Sequence, residues 1–409
     1  MAGPLAGKLV LDMSRVLAGP SCAQSLADLG AEVIKIERPG AGDDTRGWGP
    51  PFLKTPDGQD TPDAAYYLAA NRGKQSVLAD LTSEAGKNLI RELASKSDVL
   101  IENFKVGQLA KYGLDYESIR QLNPKLVYCS VTGFGQTGPL AHRAGYDFVI
   151  QGMSGFMSIT GEADDQPGGG PQKAGVAISD LMTGMVATQA ILAALLHCER
   201  GGPGQHIDMA LLDVMVSSLA NMNTNYLASG KPPHRWGNAH PNVVPYQTFQ
   251  TQDGWIIVAV GNNDQFRRFC EAGGKPELSA DPRFASNALR IENRAELIQT
   301  LRPMLRDQTS QHWILHFEKV GVPCGPIATL DEVFENPQIK ARGLRIDIPR
   351  EDAGQVKLVG NPIQFSETPI EYELPPPRLG EHTESVLKSH LGFSDEQVSH
   401  YLKSVKPEE

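Results

Sequence analysis

The sequence has few cysteines and no cysteine motif. Its five cysteines lie far apart, at positions 22, 129, 198, 270 and 324. None belongs to a CxxC or CxxH pair, which argues against both a disulfide framework and a zinc site. We therefore expect a protein of a reducing compartment, the cytoplasm, with no bound metal.

The sequence also lacks a clear membrane-spanning run. The closest is residues 181–198, but two threonines, a glutamine and a histidine interrupt it, and Glu199-Arg200 follows it. A span normally needs about 20 predominantly apolar residues. The N-terminal residues lead directly into a strand pattern, so we expect no signal or transit peptide.

An excess of positive charge is absent too. Lys and Arg number 38 against 48 Asp and Glu, which gives a net charge of −10. Nucleic acid is therefore not an expected partner, because it calls for a basic face. The sequence does not exclude an anionic small molecule as a ligand, because several cations follow the predicted strands near the N-terminus. These cations are Lys35, Arg38, Arg46, Arg72, Lys74 and Lys105.

The N-terminal part alternates short apolar strands with helices. A strand at 8–13, a helix at 21–29 and a strand at 31–37 form a βαβ unit, and the alternation continues to about residue 131. This pattern predicts an α/β domain with an open parallel sheet. The first turn lacks GxGxxG, so it is not the dinucleotide-binding fingerprint.

Polar, glycine-rich loops follow the predicted strands. They cover 14–20, 38–48, 103–107 and 132–148. In open α/β sheets, ligands bind beyond the carboxyl ends of the strands. We expect these loops to share one crevice.

The pattern changes near residue 225. Two strand patterns surround Asp253-Gly254 and predict a hairpin at about 246–260, and three helical stretches follow it. Strands and helices resume after residue 344. The predicted organisation is a Rossmann-like large domain begun by 1–224, a smaller α+β domain at 225–335, and a return segment at 336–409 that completes the large domain.

Asp180 is the most informative residue. It is a lone carboxylate next to Ser179, just before the apolar run 181–198, which predicts a buried helix. One interpretation is that Ser179 and Asp180 are ordinary N-cap residues. The other is that the helix N-terminus keeps Asp180 ionised, so that it can act as a nucleophile. Composition and pattern alone favour the cap.

Short segments spread over nearly the whole chain resemble the class III CoA-transferases, the group that includes formyl-CoA and carnitine CoA-transferases. Each segment is weak alone, and their order and spacing carry the resemblance. The segments are Val16 with Ala18-Gly-Pro20, Glu37-Arg38, Gly42-Asp43 with Thr45-Arg46-Gly-Trp48, Glu102-Asn-Phe104, Gly145-Tyr-Asp147, Ser179-Asp180, Gly204-Gln205, Gly321-Val-Pro-Cys-Gly-Pro326 and Leu379-Gly-Glu-His382.

The resemblance implies the family III fold, a Rossmann-like large domain with a small middle domain, in a homodimer of two interlocked chains. It implies that acyl-CoA and a carboxylic acid are the substrates, with no tightly bound cofactor and no metal. The family's nucleophile is an aspartate, and the match falls on Asp180. Its carboxylate would pass through a mixed anhydride and an aspartyl-CoA thioester.

The same resemblance implies further site residues. The CoA contacts fall on Val16, Arg38, Asn103, Phe104 and Lys111. Tyr146 and Asp147 fall where the family lines its active site. Related formyl-CoA transferases carry His and Gln where this chain has Arg15 and Leu17, which puts formate or oxalate in doubt. A racemase branch places His where this chain has Tyr146.

Within the family, the sequence is most similar to members that move CoA from succinyl-CoA to C4–C6 dicarboxylates such as glutarate. The second carboxylate of a dicarboxylate calls for a guanidinium, and the candidates are Arg15, Arg46 and Arg235. Three alternatives stay open: a racemase-like enzyme for α-methylacyl-CoA, a formyl or oxalate type of transferase, and a non-catalytic CoA-binding protein.

Overall fold

The computed structural model describes residues 3–405 and divides into two units. The first comprises the chain up to Phe156, Ala174–Ala228 and the chain from Gln338 onward. The second comprises Met157–Lys173 and Ser229–Pro337. Two of the boundaries between the units therefore lie at 228–229 and 337–338. The sequence predicts these boundaries at 224–225 and 335–336. No sequence pattern indicated that residues 157–173 belong with the second unit.

The strands and helices that the sequence patterns predict are present in the predicted order, and the structure adds elements that were not predicted, such as the strands Phe52–Lys54 and Asp60–Ala64 and the helix Asp147–Met153. Within residues 3–405 the strands are β1 (Leu9–Asp12), β2 (Glu32–Glu37), β3 (Phe52–Lys54), β4 (Asp60–Ala64), β5 (Lys74–Leu78), β6 (Val99–Glu102), β7 (Val127–Thr132), β8 (His206–Ala210), β9 (Tyr246–Gln250), β10 (Trp255–Ala259), β11 (Cys324–Pro326), β12 (Arg345–Arg350) and β13 (Gly354–Val359). The helices are α1 (Ala18–Asp28), α2 (Ala65–Leu68), α3 (Glu84–Lys96), α4 (Tyr116–Leu122), α5 (Asp147–Met153), α6 (Phe156–Ile159), α7 (Ile178–Glu199), α8 (Leu211–Ser218), α9 (Ala220–Ser229), α10 (Asn263–Ala272), α11 (Pro276–Ala280), α12 (Asn287–Glu292), α13 (Arg294–Arg306), α14 (Ser310–Lys319), α15 (Leu330–Glu335), α16 (Pro337–Ala341), α17 (Thr383–Leu391) and α18 (Asp395–Val405).

The first unit is built on a six-stranded parallel sheet in the order β5-β2-β1-β6-β7-β8. Counted along the sheet's own strands, this is the 3-2-1-4-5-6 order of the Rossmann fold. The strand order reverses between β1 and β6. A crevice therefore opens beyond their carboxyl ends, which is where such sheets bind ligands. The prediction of an open parallel sheet is confirmed.

Helices pack against the apolar side chains on the sheet. Strands β1 and β6 are buried throughout, so their apolar side chains face helices rather than water. Helices α17 and α18 contribute Val386, Leu387 and Tyr401 to the core cluster that contains Leu89 and Leu93 of α3. The C-terminal segment thus completes the core that the N-terminal residues begin.

Helix α7 is the long apolar helix that the sequence predicts. By length and composition alone it could cross a membrane, with a mean hydropathy of 1.6 in its most apolar window. One of its faces packs in the first unit, where Ala187, Ile191 and Leu195 join the core cluster around β1, β6 and β7. It begins three residues earlier than the sequence indicates, and this shift changes the position of Asp180 in the helix.

The second unit has its own core. Strands β9 and β10 form the predicted antiparallel hairpin, and β11 pairs with the other edge of β10. Helices α10, α13 and α14 cover this sheet around Phe249, Phe269 and Phe317. The change of pattern near residue 225 therefore marks a real change of architecture.

A buried ionic network joins β2, β4 and the C-terminal segment of the first unit. The Arg46 guanidinium is 4% exposed and forms a two-point pair with Glu37, at 2.9 and 2.7 Å. It also donates to Asp63 at 2.5 Å and to Tyr67 at 2.7 Å. Every arm of Arg46 is thus engaged within the fold. The expectation that Arg46 is free to bind a substrate carboxylate is wrong, because the sequence does not show that Glu37 and Asp63 converge on it.

We predict that Arg46→Met destabilises the fold by about 3–5 kcal/mol, because it leaves Glu37 buried without its cation and Asp63 with only its pair to Arg350. Urea denaturation followed by circular dichroism measures this loss. The matched control is Arg267→Met, an exposed arginine of α10, which should leave the unfolding midpoint unchanged. A stable Arg46→Met variant with weakened diacid binding would contradict the structural role.

Candidate active site

A cavity of about 200 Å³ lies beyond the carboxyl ends of β1, β6 and β7, at the reversal of strand order. Three of the four predicted crevice loops contribute to it. Its lining includes Arg15, Val16, Leu17, Asn103, Phe104, Tyr146 and Asp180. The structure thus brings together seven of the residues that the sequence predicted for the site.

The loop after β1 has a strained backbone at Val16. This residue has φ of 73°, a left-handed conformation that β-branched side chains rarely adopt. Its N–H donates to Asp43 Oδ1 at 3.3 Å. The side-chain amide of Asn103 holds Arg15 on both sides, accepting from its N–H at 2.9 Å and donating to its carbonyl at 2.7 Å. Backbone strain held in this way is typical of ligand sites.

Helix α7 approaches this loop closely because of a glycine. A Cβ at Gly184 would lie 2.2 Å from Ser21 Oγ and 2.8 Å from the carbonyl oxygen of Ala18. Any larger side chain there would push α7 away from the start of α1. The small residue lets the first turn of α7, which carries Asp180, lie against the loop that holds Val16 and Leu17.

Asp180 is not the cap of this helix. Helix α7 begins at Ile178 with Ala177 as N-cap, and no side chain of that residue caps it. Asp147 performs this role from α5: its Oδ1 accepts from the Ser179 N–H at 2.8 Å and from Ser179 Oγ at 2.6 Å. The interpretation of Asp180 as a cap is therefore wrong, since a neighbouring helix supplies the capping carboxylate.

The Asp180 carboxylate lines the cavity without a partner. Within residues 3–405, no N–H or O–H group donates a hydrogen bond to it. Burial, together with the nearby charge of Asp147, raises the pKa of Asp180 to about 7. The sequence predicts that the helix N-terminus keeps Asp180 ionised. In the structure desolvation opposes this ionisation, so that Asp180 is only partly ionised at neutral pH. A poorly solvated carboxylate of this kind is a strong nucleophile once it is deprotonated.

A glycine pair determines where Tyr146 lies. A Cβ at Gly133, just after β7, would lie 2.6 Å from Gly145 Cα, so the two backbones can touch only because neither residue has a side chain. The next residue, Tyr146, is 68% exposed and lines the cavity. Asp147 follows it and holds α7. Of the predicted Tyr-Asp pair, Tyr146 therefore lines the cavity and Asp147 caps α7.

A second cavity, of about 320 Å³, adjoins the same loops. It shares Arg15, Phe104 and Gln108 with the first cavity, and it includes Arg38 from the loop at 38–48. Asp44 lies between the two arginines, 3.0 Å from Arg15 and 2.9 Å from Arg38. Lys111 is exposed on a 3₁₀ turn, Leu109–Tyr112, outside both cavity linings.

The remaining predicted arginines differ in their surroundings. Arg15 lies over the Phe104 ring at 5.6 Å, and its buried Nε has no hydrogen-bond partner among the described residues. Its guanidinium thus pairs with Asp44 through Nη1 and leaves the Nε donor unpaired. Arg235 belongs to the second unit, where it pairs with Asp164 and donates to the Glu162 carbonyl oxygen at 3.1 Å. Of the three candidates for a carboxylate ligand, Arg15 alone lines the Asp180 cavity.

Some neighbours of Asp180 were missed from the sequence. The charges of Asp180, Asp147 and Asp43 help burial to raise the pKa of Tyr66, so its hydroxyl lies near these carboxylates. Trp48 packs edge-on against Tyr66, with ring centroids 5.2 Å apart. A Tyr66-Tyr67 pair on a four-residue helix gives no sequence signal of this position. Arg143, which was also missed, lines the cavity together with Lys105, one of the cations that the sequence singled out.

The residues present fit acyl chemistry at a carboxylate. Among residues 3–405, no cluster of three His, Cys, Asp or Glu side chains could hold a metal ion. The cavity instead offers one unpaired carboxylate, a guanidinium and several flanking cations. This arrangement can hold an anionic substrate while Asp180 attacks it.

The chain is similar to curated and solved proteins over almost its full length. It is 54% identical to the succinate–glutarate CoA-transferase of Agrobacterium fabrum over 384 residues, 94% of this chain and 95% of that protein. It is 43% identical to the human succinyl-CoA:glutarate CoA-transferase over 98% of this chain and 89% of that protein. The crystal structure of a CaiB/BaiF family protein from Brucella suis superposes with a TM-score of 0.84 at 48% identity, covering 95% of this chain and 100% of that one.

The family model matches as well. Residues 5–383 fit the model of CoA-transferase family III, which spans both units of the structure and includes every predicted site residue. The resemblance seen in the short motifs is thereby confirmed, and so is the enzyme class. The chain belongs to CoA-transferase family III.

Proposed function

We propose that this enzyme moves CoA from succinyl-CoA to a C4–C6 dicarboxylate such as glutarate, with Asp180 as the nucleophile. The observation that carries the proposal is the Asp180 carboxylate, which lines the cavity at the strand-order reversal with no hydrogen-bond partner among the described residues. The names of the relatives at 54% and 43% identity support the same pair of acids.

The first half of the reaction removes the donor acid. The Asp180 carboxylate attacks the thioester carbonyl of succinyl-CoA, the C–S bond breaks, and CoA leaves as a thiolate. The product is a mixed anhydride between Asp180 and succinate. The thiolate then attacks the Asp180 carbonyl, and the C–O bond breaks. Succinate leaves, and an aspartyl-CoA thioester remains.

The second half reverses these steps with the new acid. A carboxylate of glutarate attacks the aspartyl thioester carbonyl and expels the thiolate, which gives a new mixed anhydride. The thiolate attacks the glutaryl carbonyl, and Asp180 leaves as a carboxylate. Each step exchanges one activated acyl group for another, so the cycle needs no external energy source. It does need a cavity that excludes water, which would hydrolyse the anhydride.

The arrangement of cavities suggests how CoA binds. Its negatively charged end suits the second cavity near Arg38, and its thioester suits the first cavity beside Asp180. Phe104 borders both cavities and could pack against the apolar arm between the two ends. In this proposal Val16 and Asn103 shape the loop at the junction, and Lys111 adds charge from the surface.

We also propose that the enzyme is a homodimer of interlocked chains and works in the cytoplasm. Exposed apolar side chains on α5, α7 and α9 support an interface, because exposed apolar surface often marks a protein–protein contact. They include Phe148, Met153, Met185, Leu196 and Leu227. The scattered cysteines are free, as expected of a protein from a reducing compartment.

We predict that Asp180→Asn lowers the turnover by about 10⁴-fold or more, because the amide cannot form the anhydride. Mass spectrometry of succinyl-CoA and glutaryl-CoA measures the loss. The matched control is Asp213→Asn, an exposed aspartate in the first turn of α8, which should keep full activity. Activity retained in Asp180→Asn, or deuterium incorporation at the substrate α-carbon, would contradict this chemistry.

The same substitution should not weaken the fold. The raised pKa means that ionising Asp180 costs more in the folded chain than in the unfolded one. This cost begins above about pH 4 and is complete above about pH 7. We therefore expect Asp180→Asn to unfold at an equal or higher urea concentration than wild type at pH 8. A clear loss of stability there would indicate that Asp180 has a structural role instead.

We predict that kcat/KM rises with pH and reaches half of its maximum near pH 7, because only deprotonated Asp180 attacks the thioester. Asp147→Asn removes the neighbouring charge that helps to raise this pKa, while its amide oxygen can still accept from Ser179. The acidic limb should therefore move to lower pH. Steady-state profiles from pH 5 to 9 measure it, and an unmoved limb would exclude Asp147 as a cause.

We predict that Arg15→Met raises the KM for glutarate by about 10–100-fold, because it removes a guanidinium that can bind the distal carboxylate. The KM for succinyl-CoA should rise much less if CoA contacts dominate its binding. Valerate, a C5 acid with one carboxylate, is the matched control acceptor, and its KM should stay nearly constant. An equal rise for glutarate and valerate would contradict this role for Arg15.

A further inference from the structure

The second unit contains a large cavity whose lining shares no residue with the cavity at Asp180. Its volume is about 830 Å³, within the range of small-molecule sites and larger than the cavity at Asp180. Helix α13 and strand β9 form two of its walls, and the segments 162–166 and 234–239 form the others. We call it the arginine cavity, after the residues Arg235, Arg294, Arg302 and Arg306 that line it.

Three of these arginines lie on the face of α13 that lines the cavity. Arg302 and Arg306 are about one turn apart, and Arg294, eight residues before Arg302, lies about 80° from it around the helix axis; all three line the cavity. None of the three forms an ion pair with a carboxylate within residues 3–405. Two carboxylates, Glu162 and Asp165, also line the cavity but lie beyond ion-pair distance of them. The face therefore carries positive charge that the fold leaves uncompensated.

Other arginines of this unit behave differently. Arg267 lies 2.8 Å from Asp264 and 2.9 Å from Glu271. Arg283 pairs with Asp281 at 2.6 Å and also with Glu296. Surface arginines here normally find a carboxylate of the same chain, so the lack of one along the cavity face of α13 is specific to that face.

Arg294 and Arg306 are held in place before any ligand binds. Arg294 Nη2 donates to the carbonyl oxygens of His240 and Pro241, each at 2.9 Å, and its guanidinium stacks 4.4 Å from the Trp236 ring centroid. Burial lowers the pKa of Arg294, as expected where no carboxylate balances its charge. Arg306 donates to Gln250 Oε1 at 2.5 Å. Fixed donors lose little conformational entropy when an anion binds.

An open aromatic surface borders the same cavity. Trp255 is 52% exposed and pairs with Gln250 in the β9–β10 ladder, which places it beside Arg306. Trp236 is already covered, by Arg294 on one side and by His234 with ring centroids 4.2 Å apart. Trp255 is therefore the tryptophan that can stack on the flat or apolar part of a ligand.

We propose that the arginine cavity is a second ligand site, which binds a small organic anion carrying two or more phosphate or carboxylate groups. Arg302 and Arg306 contact the anionic groups, Arg294 supplies a fixed charge beside them, and Trp255 packs on the remainder of the molecule. Bidentate arginine contacts suit both phosphate and carboxylate. The site lies within the second unit, and its existence does not depend on the proposed substrates.

Isothermal titration calorimetry of the full chain tests this. The enzyme is first saturated with CoA, so that the CoA site is occupied, and is then titrated with ADP or with inorganic pyrophosphate at 0.15 M salt. We expect one further site per chain for each probe. Glutarate is titrated as a third probe. It carries carboxylates in place of phosphates, so it distinguishes a site for diacids from a site for phosphates.

The double variant Arg302→Ala/Arg306→Ala should weaken this binding by about 100-fold, roughly tenfold for each guanidinium that no longer holds the anion. Arg267→Ala/Arg283→Ala is the matched control, with two paired arginines of the same unit removed, and should bind as wild type does. Trp255→Ala should weaken ADP more than pyrophosphate. No further site in wild type, or equal binding in the two double variants, would overturn the proposal.

Two other results would also overturn it. If Arg302→Ala/Arg306→Ala changes the mass measured by sedimentation equilibrium, the face is an interface with a second copy of the chain. If it raises the KM for glutarate while ADP binding persists, the arginines belong to the acid site of the transferase. Because the titration does not require turnover, its result stands whether or not the proposed acids are the substrates.

Discussion

The carboxylate of Asp147 is the contact on which the rest of the site depends. It accepts from both the N–H and the hydroxyl of Ser179, and it is in turn held by Gln151 at 2.7 Å. These bonds determine where α7 begins and so where Asp180, one residue later, presents its carboxylate. The same negative charge raises the pKa of Asp180. One group therefore fixes the position of the proposed nucleophile and adds to the effect of burial on its pKa, and it leaves Asp180 free because it caps α7 in place of Asp180.

Buried ion pairs at the carboxyl end of the sheet support the loop that carries Val16. Lys35 pairs with Asp43 at 3.0 Å and Lys74 with Asp12 at 2.8 Å, all of them inaccessible to solvent. Buried pairs of this kind contribute little net stability, because desolvation offsets their attraction, but the removal of one partner is costly. Here they fix the conformation of the loop after β1, because Asp43 also accepts a hydrogen bond from the N–H of Val16, whose backbone is strained. A loop under strain needs such a rigid base, and this base keeps Val16 and Leu17 against α7.

Much of the site could be predicted because chain order and sheet chemistry constrain it. Parallel strands end at one edge, so the loops that follow them must meet there, and the loops carrying Arg15, Asn103 and Tyr146 do. The error over Arg46 has a physical cause as well. A lone arginine in a polar loop looks the same in sequence whether its partner is a ligand or a buried carboxylate. Glu37 precedes it by nine residues and Asp63 follows it by 17, and only the fold places both on its guanidinium. Tyr66 was missed for the same reason, since nothing in its local sequence indicates a position beside Asp180.

By itself the sequence determined the parallel sheet, the change of architecture near residue 225, the motifs of the family and the importance of Asp180, because these depend on local periodicity and on the order of short segments. The tertiary structure alone decided which charges are free. It gave Arg46 two carboxylates and Arg15 a spare donor, replaced Asp180 by Asp147 as the cap of α7, and left three arginines of α13 without carboxylate partners among the described residues. The physical reason is that the state of a charged group depends on its desolvation and on the nearest opposite charge. Both are properties of distant segments brought together, which no local pattern records.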